Sequence, residues 1–223
     1  SNVGTELQLD GNVEAAITLY RESLARNPNN AVAVSNLGTA LAANGQLDEA
    51  ITQHRRALEL APNDADSYFN LGNALAVQGE FEEAVEQLQG ALQVAPDFAE
   101  AHVNLGNVLL EVDELEEAES HYRRATELEP GWVEAYNNLG LLAVAQERVD
   151  EGLTLFRQAI EVNPEYPDAH TNLAAALQLV EEPAEALIHF RRAVELAPES
   201  ASVYNDLGMA LGAQEQLDEA EVH

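Results

Sequence analysis

An asparagine recurs at intervals of 34 residues, at Asn36, Asn70, Asn104, Asn138 and Asn172, and the next site carries Asp206. Asparagine is disfavoured inside helices, so this repetition needs a cause. A side-chain amide supplies both donor and acceptor groups, a combination that suits the backbone of an extended peptide whatever its side chains are. The alternative is that the amides bond neighbouring repeats together, or were copied with the repeat.

A row of acidic residues follows the same interval, each four residues before one of these asparagines: Asp66, Glu100, Glu134 and Asp168. Two further amides, Asn73 and Asn107, stand three residues after Asn70 and Asn104. Together these residues predict a polar, negatively charged binding surface for a neutral or basic peptide. The carboxylates also suit the first turn of a helix, where they complement its dipole, and the two interpretations are compatible.

The elements that position these side chains follow from the spacing of small and apolar residues. In each 34-residue unit, residues such as Leu37 and Leu41 form one helical stripe, and Ala50 and Ala57 belong to a second. Gly45 stands between the two stripes, and a proline follows the second one. Each unit is therefore predicted to form two antiparallel helices, with the asparagine on the first helix opposite its packing stripe.

The repeat divides the whole chain. We expect five full repeats at 31–64, 65–98, 99–132, 133–166 and 167–200, a partial repeat at 1–30 and a truncated repeat at 201–223. Neighbouring repeats must stack, because a single helix pair cannot bury its own apolar stripes. The chain 1–223 is therefore predicted to form one continuous array.

Several residues depart from the repeat. The turn glycine is replaced by Asp113, Glu147, Glu181 and Glu215, so we expect tighter or less regular turns in the C-terminal half. His54 falls at a core position of a second helix. The remaining histidines predict no metal site, and we expect His102 and His170 to be packing residues.

The repeat resembles the tetratricopeptide repeat (TPR) family. In the second full repeat the residues that carry the resemblance are Tyr68, Leu71, Gly72, Leu75, Ala84, Ala91 and Pro96. An aromatic residue of the second helix recurs as Tyr20, Tyr122, Phe156 and Phe190. The resemblance implies an all-α fold, an α-solenoid in which antiparallel helix pairs form a right-handed superhelix. It also implies that first helices line a concave face that binds a peptide or partner protein, without enzymatic activity.

The row of repeated asparagines (Asn36, Asn70, Asn104, Asn138 and Asn172) is called the asparagine ladder below. It is similar to the ladder of protein O-GlcNAc transferases, where asparagines at this repeat position hold the substrate backbone. One alternative is therefore that the chain is the substrate-recruiting region of a larger enzyme such as a glycosyltransferase. Another is that it is a self-assembling structural module. Leu211 and Leu217 predict end-to-end self-association, because no further repeat covers them.

The charge balance narrows the class of partner. The chain has 40 acidic residues, 10 arginines and no lysine, and its formal net charge is −30. Such a surface repels phosphates, so we expect no binding to nucleic acid. No residue run predicts membrane insertion or a signal peptide, which favours a soluble, cytoplasmic protein. The acidic, lysine-free surface is explained either by salt adaptation or by a biased genome with a large exposed surface.

The chemistry-bearing residue types predict no catalytic site, metal site or cofactor. Cysteine is absent, and no glycine-rich phosphate loop or Ser-His-Asp arrangement is recognisable. Nine of the ten arginines fall on predicted second helices, which argues against a TPR clamp for a C-terminal carboxylate. Arg55, Arg123, Arg157 and Arg191 each have a glutamate four residues later, and we expect these residues to pair along the helix.

Overall fold

The computed structural model describes the backbone of residues 12–222 and the side chains of residues 12–213. Helices and their connecting turns account for all of the described backbone, with no β-strand in it, which confirms the all-α fold. No described helix combines the length and the apolar character needed to cross a membrane. Residue contacts divide the chain into two compact units, Ser1–His121 and Tyr122–His223.

The helices of the first unit are α1 (Val13–Arg26), α2 (Ala31–Ala43), α3 (Leu47–Leu60), α4 (Ala65–Gln78), α5 (Phe81–Val94) and α6 (Ala99–Glu111). Helix α7 (Leu115–Leu128) begins in the first unit and ends in the second. The helices of the second unit are α8 (Val133–Ala145), α9 (Val149–Val162), α10 (Pro167–Leu179), α11 (Pro183–Leu196) and α12 (Ala201–Val222).

The helices pack as consecutive pairs. In the first unit α2 packs on α3 and α4 on α5, and in the second unit α8 packs on α9 and α10 on α11. First helices of neighbouring repeats also contact one another within each unit, as α2 contacts α4 and α8 contacts α10. The predicted tandem helix pairs are therefore confirmed.

The truncated repeat differs from the prediction. Helix α12 runs through Glu215 without the expected turn. An uninterrupted helix keeps its backbone hydrogen bonds, and it avoids the left-handed conformation that a turn would impose on a glutamate. The prediction for residues 1–11, which includes a turn at Gly11, lies outside the described residues, as does the side chain of Leu217.

Close contact between helices depends on small residues. A Cβ atom on Gly72 of α4 would lie 2.7 Å from Cγ of Leu88 of α5, so only glycine fits there. Ala84 and Ala91 of α5 have no exposed surface. The two helix backbones can therefore approach closely, and the apolar side chains between them exclude water.

The second-helix core position is filled by aromatic residues in several repeats. Tyr20, Tyr122, Phe156 and Phe190 are at most 3% exposed. His54 occupies the same position, and it is completely buried against Gly38. Neither of its ring nitrogens has a hydrogen-bond partner within the described residues. Burial lowers the pKa of His54 to about 4, although the charge of Asp64 partly opposes that shift.

The other histidines are not isolated packing residues. His102 and His170 are buried, as predicted, but each also contacts a second histidine of the same repeat, His121 or His189. The expectation for His102 and His170 did not include these pairs, which bring residues 19 positions apart together across a hairpin.

The arginine pairing also differs from the prediction. Instead of bonding four residues onward, Arg55 reaches Glu83 of the next repeat, with 2.7 Å between Nη2 and Oε1. The same pairing, at a separation of 28 residues, joins Arg21 to Glu49, Arg123 to Glu151 and Arg157 to Glu185. Second helices of adjacent repeats lie side by side, so an acid on the neighbouring helix is within reach. Each exposed pair contributes only modestly to stability.

The turns of the C-terminal half keep the geometry of the glycine turns. Gly79 has a φ of 87°, and Asp113, Glu147 and Glu181 have φ values of 63°, 63° and 61°. The backbone bond that closes the turn recurs as well, from Glu80 N–H to the Leu75 carbonyl and at the corresponding residues of the later turns. The expectation of less regular turns is therefore wrong, because the acidic residues adopt the left-handed conformation at an energetic cost.

Replacing the three left-handed acids by glycine should stabilise the chain. We expect Asp113→Gly, Glu147→Gly and Glu181→Gly each to add about 0.5–1 kcal/mol, since relief of the backbone cost exceeds the entropy that glycine adds to the unfolded chain. Thermal and urea unfolding of the single and triple variants measure this gain. As a matched control, Gly79→Ala should lower stability, and a neutral or negative effect of the triple variant would contradict the explanation.

Replacing the buried imidazole should also stabilise the chain. His54→Leu reproduces the Leu88–Gly72 contact of the next repeat and removes two unpaired polar atoms, which we expect to add about 1–3 kcal/mol at pH 7. The gain should grow as the pH falls below 6.5, because the unfolded imidazole then binds a proton that the folded one resists down to about pH 4. Urea titrations at several pH values measure both effects. The reciprocal variant, Leu88→His, should lose stability and acquire the same pH dependence.

Candidate functional site

Two residues of the asparagine ladder meet in one cleft of the first unit. Asn36 of α2 and Asn70 of α4 line a cleft with a volume of about 340 Å³. Asp66 and Glu100, two members of the predicted acidic row, line the same cleft and are exposed to solvent. The N-terminal halves of three successive first helices thus bring together four residues from three repeats.

An aromatic pair forms the apolar part of this cleft. The rings of Phe69 and Phe98 lie 4.8 Å apart between centroids, with their planes inclined by 40°. Phe69 is buried on α4, and Phe98 precedes the first residue of α6. Neither residue was among the predicted site residues. The signal that could have indicated them is an aromatic residue at two positions near the ladder asparagines.

Hydrogen bonds connect two polar residues of the cleft lining, Ser35 and Asp64, through Ser67. The Ser67 hydroxyl donates to the Asp64 carboxylate, and it lies 3.0 Å from the Ser35 hydroxyl oxygen. Because Ser67 has only one hydroxyl proton, Ser35 donates to Ser67. This series of hydrogen bonds joins α2 to α4 and does not include Asn36 or Asn70.

The ladder asparagines differ in their hydrogen bonding. The Asn104 amide donates to Oδ1 of Asn73 at 2.9 Å, and the Asn172 amide donates to Oδ1 of Asn137 at the same distance. Both bonds join neighbouring repeats. The side-chain amides of Asn36 and Asn70, in contrast, make no hydrogen bond to any residue in the described range 12–213, and both border the cleft.

Asn138, in the second unit, has a different environment. Burial raises the pKa of Tyr122, and a hydrogen bond between Tyr122 and Asn138 partly opposes that effect. The ladder is therefore uniform in sequence but divided in structure: three members are engaged with other residues, and two remain available.

One protein family matches almost the whole chain. Residues 10–223 match the family described as the Cilia and flagella-associated protein 70 C-terminal domain. The chain belongs to this TPR family. No curated protein matches the sequence significantly.

Solved structures share the TPR architecture. The crystal structure of MamA is 27% identical, with a TM-score of 0.68 over 73% of this chain and 95% of its own. YrrB, described as a TPR protein with an unusual peptide-binding site, is 24% identical over 88% of this chain and 97% of its own, with a TM-score of 0.68. PilF of Pseudomonas aeruginosa is 19% identical over 95% of each chain, with a TM-score of 0.82.

The comparisons confirm the TPR prediction. YrrB and PilF, at these identities, establish the fold alone. The similarity of the ladder to that of O-GlcNAc transferases stays a prediction.

The remaining acids of the row surround a tyrosine in the second unit of the TPR chain. Burial, the charges of Asp168 and Glu134, and a hydrogen bond with Asp168 together raise the pKa of Tyr166 to about 12. Glu134 and Asp168 are both exposed. The acidic row is thus divided between two environments, and only its first half shares a cleft with ladder asparagines that have no other partner. Asn107 is exposed on α6, three residues after Asn104.

The first helices of this TPR chain also carry apolar side chains that the predicted polar surface did not include. Val32 borders the cleft and is 63% exposed, and Val77 on α4 is 73% exposed. In the second unit, Leu141 and Leu179 are exposed on α8 and α10. A ligand on these helices would therefore meet apolar surface as well as amides and carboxylates.

No group of three or more His, Asp or Glu side chains in the described part of the chain is arranged to hold a metal ion. The arginines lie away from the cleft, nine on helices α1, α3, α7, α9 and α11, and Arg148 directly before α9. The lining of the cleft accordingly has acidic groups but no basic one.

Proposed function

We propose that this TPR chain binds an extended segment of a partner protein along its first helices, with the cleft of Asn36 and Asn70 as the principal contact. The observation that carries the proposal is the pair of side-chain amides that line this cleft without a partner in the described residues. Each amide can donate to a peptide carbonyl and accept from a peptide N–H. An extended backbone offers both groups at every residue, so the amides grip it independently of its sequence.

The partner segment is neutral or basic. Asp66 and Glu100 border the cleft, and no basic residue lines it, so an acidic segment would be repelled. The Phe69–Phe98 pair offers an apolar surface on which a side chain of the segment can pack. Such an arrangement binds rather than catalyses, in keeping with a TPR family of interaction modules.

The other proposed ladder contacts, at Asn104, Asn138 and Asn172, are secondary. Asn104 and Asn172 each already donate one amide N–H to a neighbouring repeat, which fixes the orientation of the amide. Fewer of their donor groups are therefore left for a ligand than at Asn36 and Asn70. Asn73 likewise acts through its bond to Asn104. Asn107, Glu134 and Asp168 do not line the cleft, and their contact with a ligand stays a prediction.

End-to-end self-association stays a prediction. Tyr204, Met209 and Leu211 are exposed on α12, which is consistent with it. The described residues offer no comparable support for a glycosyltransferase partner domain.

The two partnerless amides should control affinity. Peptides selected from a displayed random library with the wild-type chain serve as probes, and titration by fluorescence anisotropy measures their affinity. Asn36→Ala with Asn70→Ala should weaken binding by about 5- to 150-fold, since two net hydrogen bonds of about 0.5–1.5 kcal/mol are lost. The melting temperature should not fall, because alanine is the better helix former.

Asn104→Ala with Asn172→Ala is the matched control. This pair should lower the melting temperature, since it removes two bonds between repeats, and it should change affinity little. Equal loss of affinity in both double variants would contradict the special role of the cleft. Failure of the wild-type chain to select any peptide would remove the proposed function itself.

The acidic rim should select basic peptides. Asp66→Asn with Glu100→Gln should weaken a selected peptide that carries arginine or lysine by about 2- to 30-fold, because each exposed ion pair contributes about 0.2–1 kcal/mol. The dependence of its affinity on salt should flatten, and a neutral peptide should bind within twofold of wild type. Glu134→Gln with Asp168→Asn is the control in the other unit. Equal effects of the two double variants would contradict the proposal that the arginine or lysine of the peptide binds at the cleft.

A further inference from the structure

Two histidine pairs bridge the helices of a hairpin at equivalent positions of two repeats. The Nδ1 atoms of His102 and His121 lie 2.8 Å apart, and those of His170 and His189 lie 3.0 Å apart. The ring centroids are separated by 5.0 Å and 5.2 Å. The first-helix member of each pair is buried, and the second-helix member is half-buried. A geometry that recurs 68 residues later is a property of the repeat and not an accident of one site.

The surrounding groups fix which nitrogen carries the proton. Nε2 of His170 lies 3.1 Å from the carbonyl oxygen of Pro164, and Nε2 of His102 lies 3.0 Å from that of Pro96. A carbonyl oxygen only accepts, so Nε2 of His170 must be protonated and its Nδ1 must be the acceptor. His189 therefore donates from Nδ1, and its Nε2 is left as the site for an additional proton.

The first additional proton does not disturb the pair. It binds to Nε2 of His189, which faces the Glu185 carboxylate at 4.0 Å, while the bond between the two Nδ1 atoms persists. In the other pair, Nε2 of His121 faces Glu117 at 3.8 Å. The charged imidazolium is then a stronger donor to its neutral partner than before.

A second proton breaks the pair. It can bind only to Nδ1 of His170, where it would place two N–H groups and two positive charges 3.0 Å apart. The hydrogen bond is lost, and the two rings repel each other in a partly buried position. The same argument applies to His102 and His121.

Burial and the neighbouring histidine make charging of the second-helix histidines unfavourable, and a nearby glutamate opposes this effect. Burial, followed by the neighbouring His170, lowers the pKa of His189. Glu185 opposes the shift, and Arg157 of α9 adds to it. Burial and then His102 lower the pKa of His121, with Glu117 opposing them. Arg157 also holds Glu185 in an ion pair, so that carboxylate is shared between the arginine and His189.

The distances indicate a shared proton and not a shared metal ion. Two nitrogens bound to one tetrahedral zinc at 2.0–2.1 Å are roughly 3.3 Å apart, which is longer than either observed separation. Within the described side chains, no third metal-binding residue completes either pair.

We propose that the two histidine pairs are acid-sensitive latches, which hold the helices of the third and fifth full repeats together until both imidazoles are charged. The second and fourth full repeats carry Tyr68 with Gln87 and Tyr136 with Leu155 at these positions, so they have no latch. Acidification loosens alternate repeats. This inference is independent of the proposed peptide binding, because the latches lie outside the cleft.

The first test is the protonation state in the wild-type chain. Two-dimensional ¹⁵N–¹H correlation of the histidine rings at pH 7.5 should show His102 and His170 protonated at Nε2, and His121 and His189 protonated at Nδ1. On acidification, the second-helix member of each pair should be the first to gain a proton. The opposite tautomers, or simultaneous protonation of both rings above pH 6, would overturn the proposal.

The second test is local opening, measured by hydrogen exchange with mass spectrometry and corrected for the intrinsic effect of pH. Between pH 7.5 and 4.5, protection in residues 99–132 and 167–200 should fall at least about tenfold more than in residues 65–98 and 133–166, since one pKa unit corresponds to a tenfold change. An equal fall in all four repeats would overturn the proposal.

The matched variant is His121→Gln with His189→Gln, since glutamine already occupies this position as Gln53 and Gln87. Its amide can donate to the first-helix histidine when that ring is neutral and accept from it when it is charged, and the amide itself does not titrate. The additional loss of protection in the third and fifth repeats should disappear, while protection at pH 7.5 stays within a few-fold of wild type. A loss that persists in this variant would show that the histidine pairs do not cause it.

Discussion

The close contact between the two helices of a repeat is the constraint on which the rest of this structure depends. Gly72 admits Leu88 to within a distance that no side chain on α4 would allow, and Ala84 lets the two backbones approach. Small residues at these positions dictate which face of each first helix is buried. The opposite face is thereby left without a helix to cover it, and that face carries the amides, the acids and the exposed valines.

The same helix packing also separates the positive charges from the first helices. Second helices of adjacent repeats lie side by side, so a cation such as Arg55 can bond an acid on its neighbour, Glu83. Nine of the ten arginines lie on second helices, and Arg148 stands at the turn before α9, so none lies on a first helix. The cleft keeps Asp66 and Glu100 without basic counterparts among its lining residues. The net charge of −30 is therefore unevenly distributed, because the first helices carry acidic residues and no arginine to compensate for them.

The sequence predicted the fold well because one packing pattern is repeated in register, which makes weak signals from each repeat reinforce one another. It predicted the site less well. The interval that reveals Asn36 and Asn104 cannot distinguish them, since their difference depends on whether a neighbour such as Asn73 is within reach. The His170–His189 contact was missed for a related reason: the two residues face each other only after the helices are placed. The turns were mispredicted because propensity disfavours Glu147 in a left-handed conformation, whereas packing of the flanking helices imposes it.

A residue that departs from the repeat can be compared directly with the residue at the same position of another repeat, because the backbone around the two is alike. His54 and Leu88 occupy the same position against Gly38 and Gly72, so the difference between them is the chemistry of an imidazole in an apolar site. The same comparison separates the histidine latches from the tyrosines that replace them. Since each repeat contacts its neighbours and little else, a departure acts locally, and its effect spreads only as far as the adjoining repeats are coupled. An array of this kind can therefore hold both a binding cleft and acid-sensitive hairpins, because the residues that line the cleft are not those that join the helices of a hairpin.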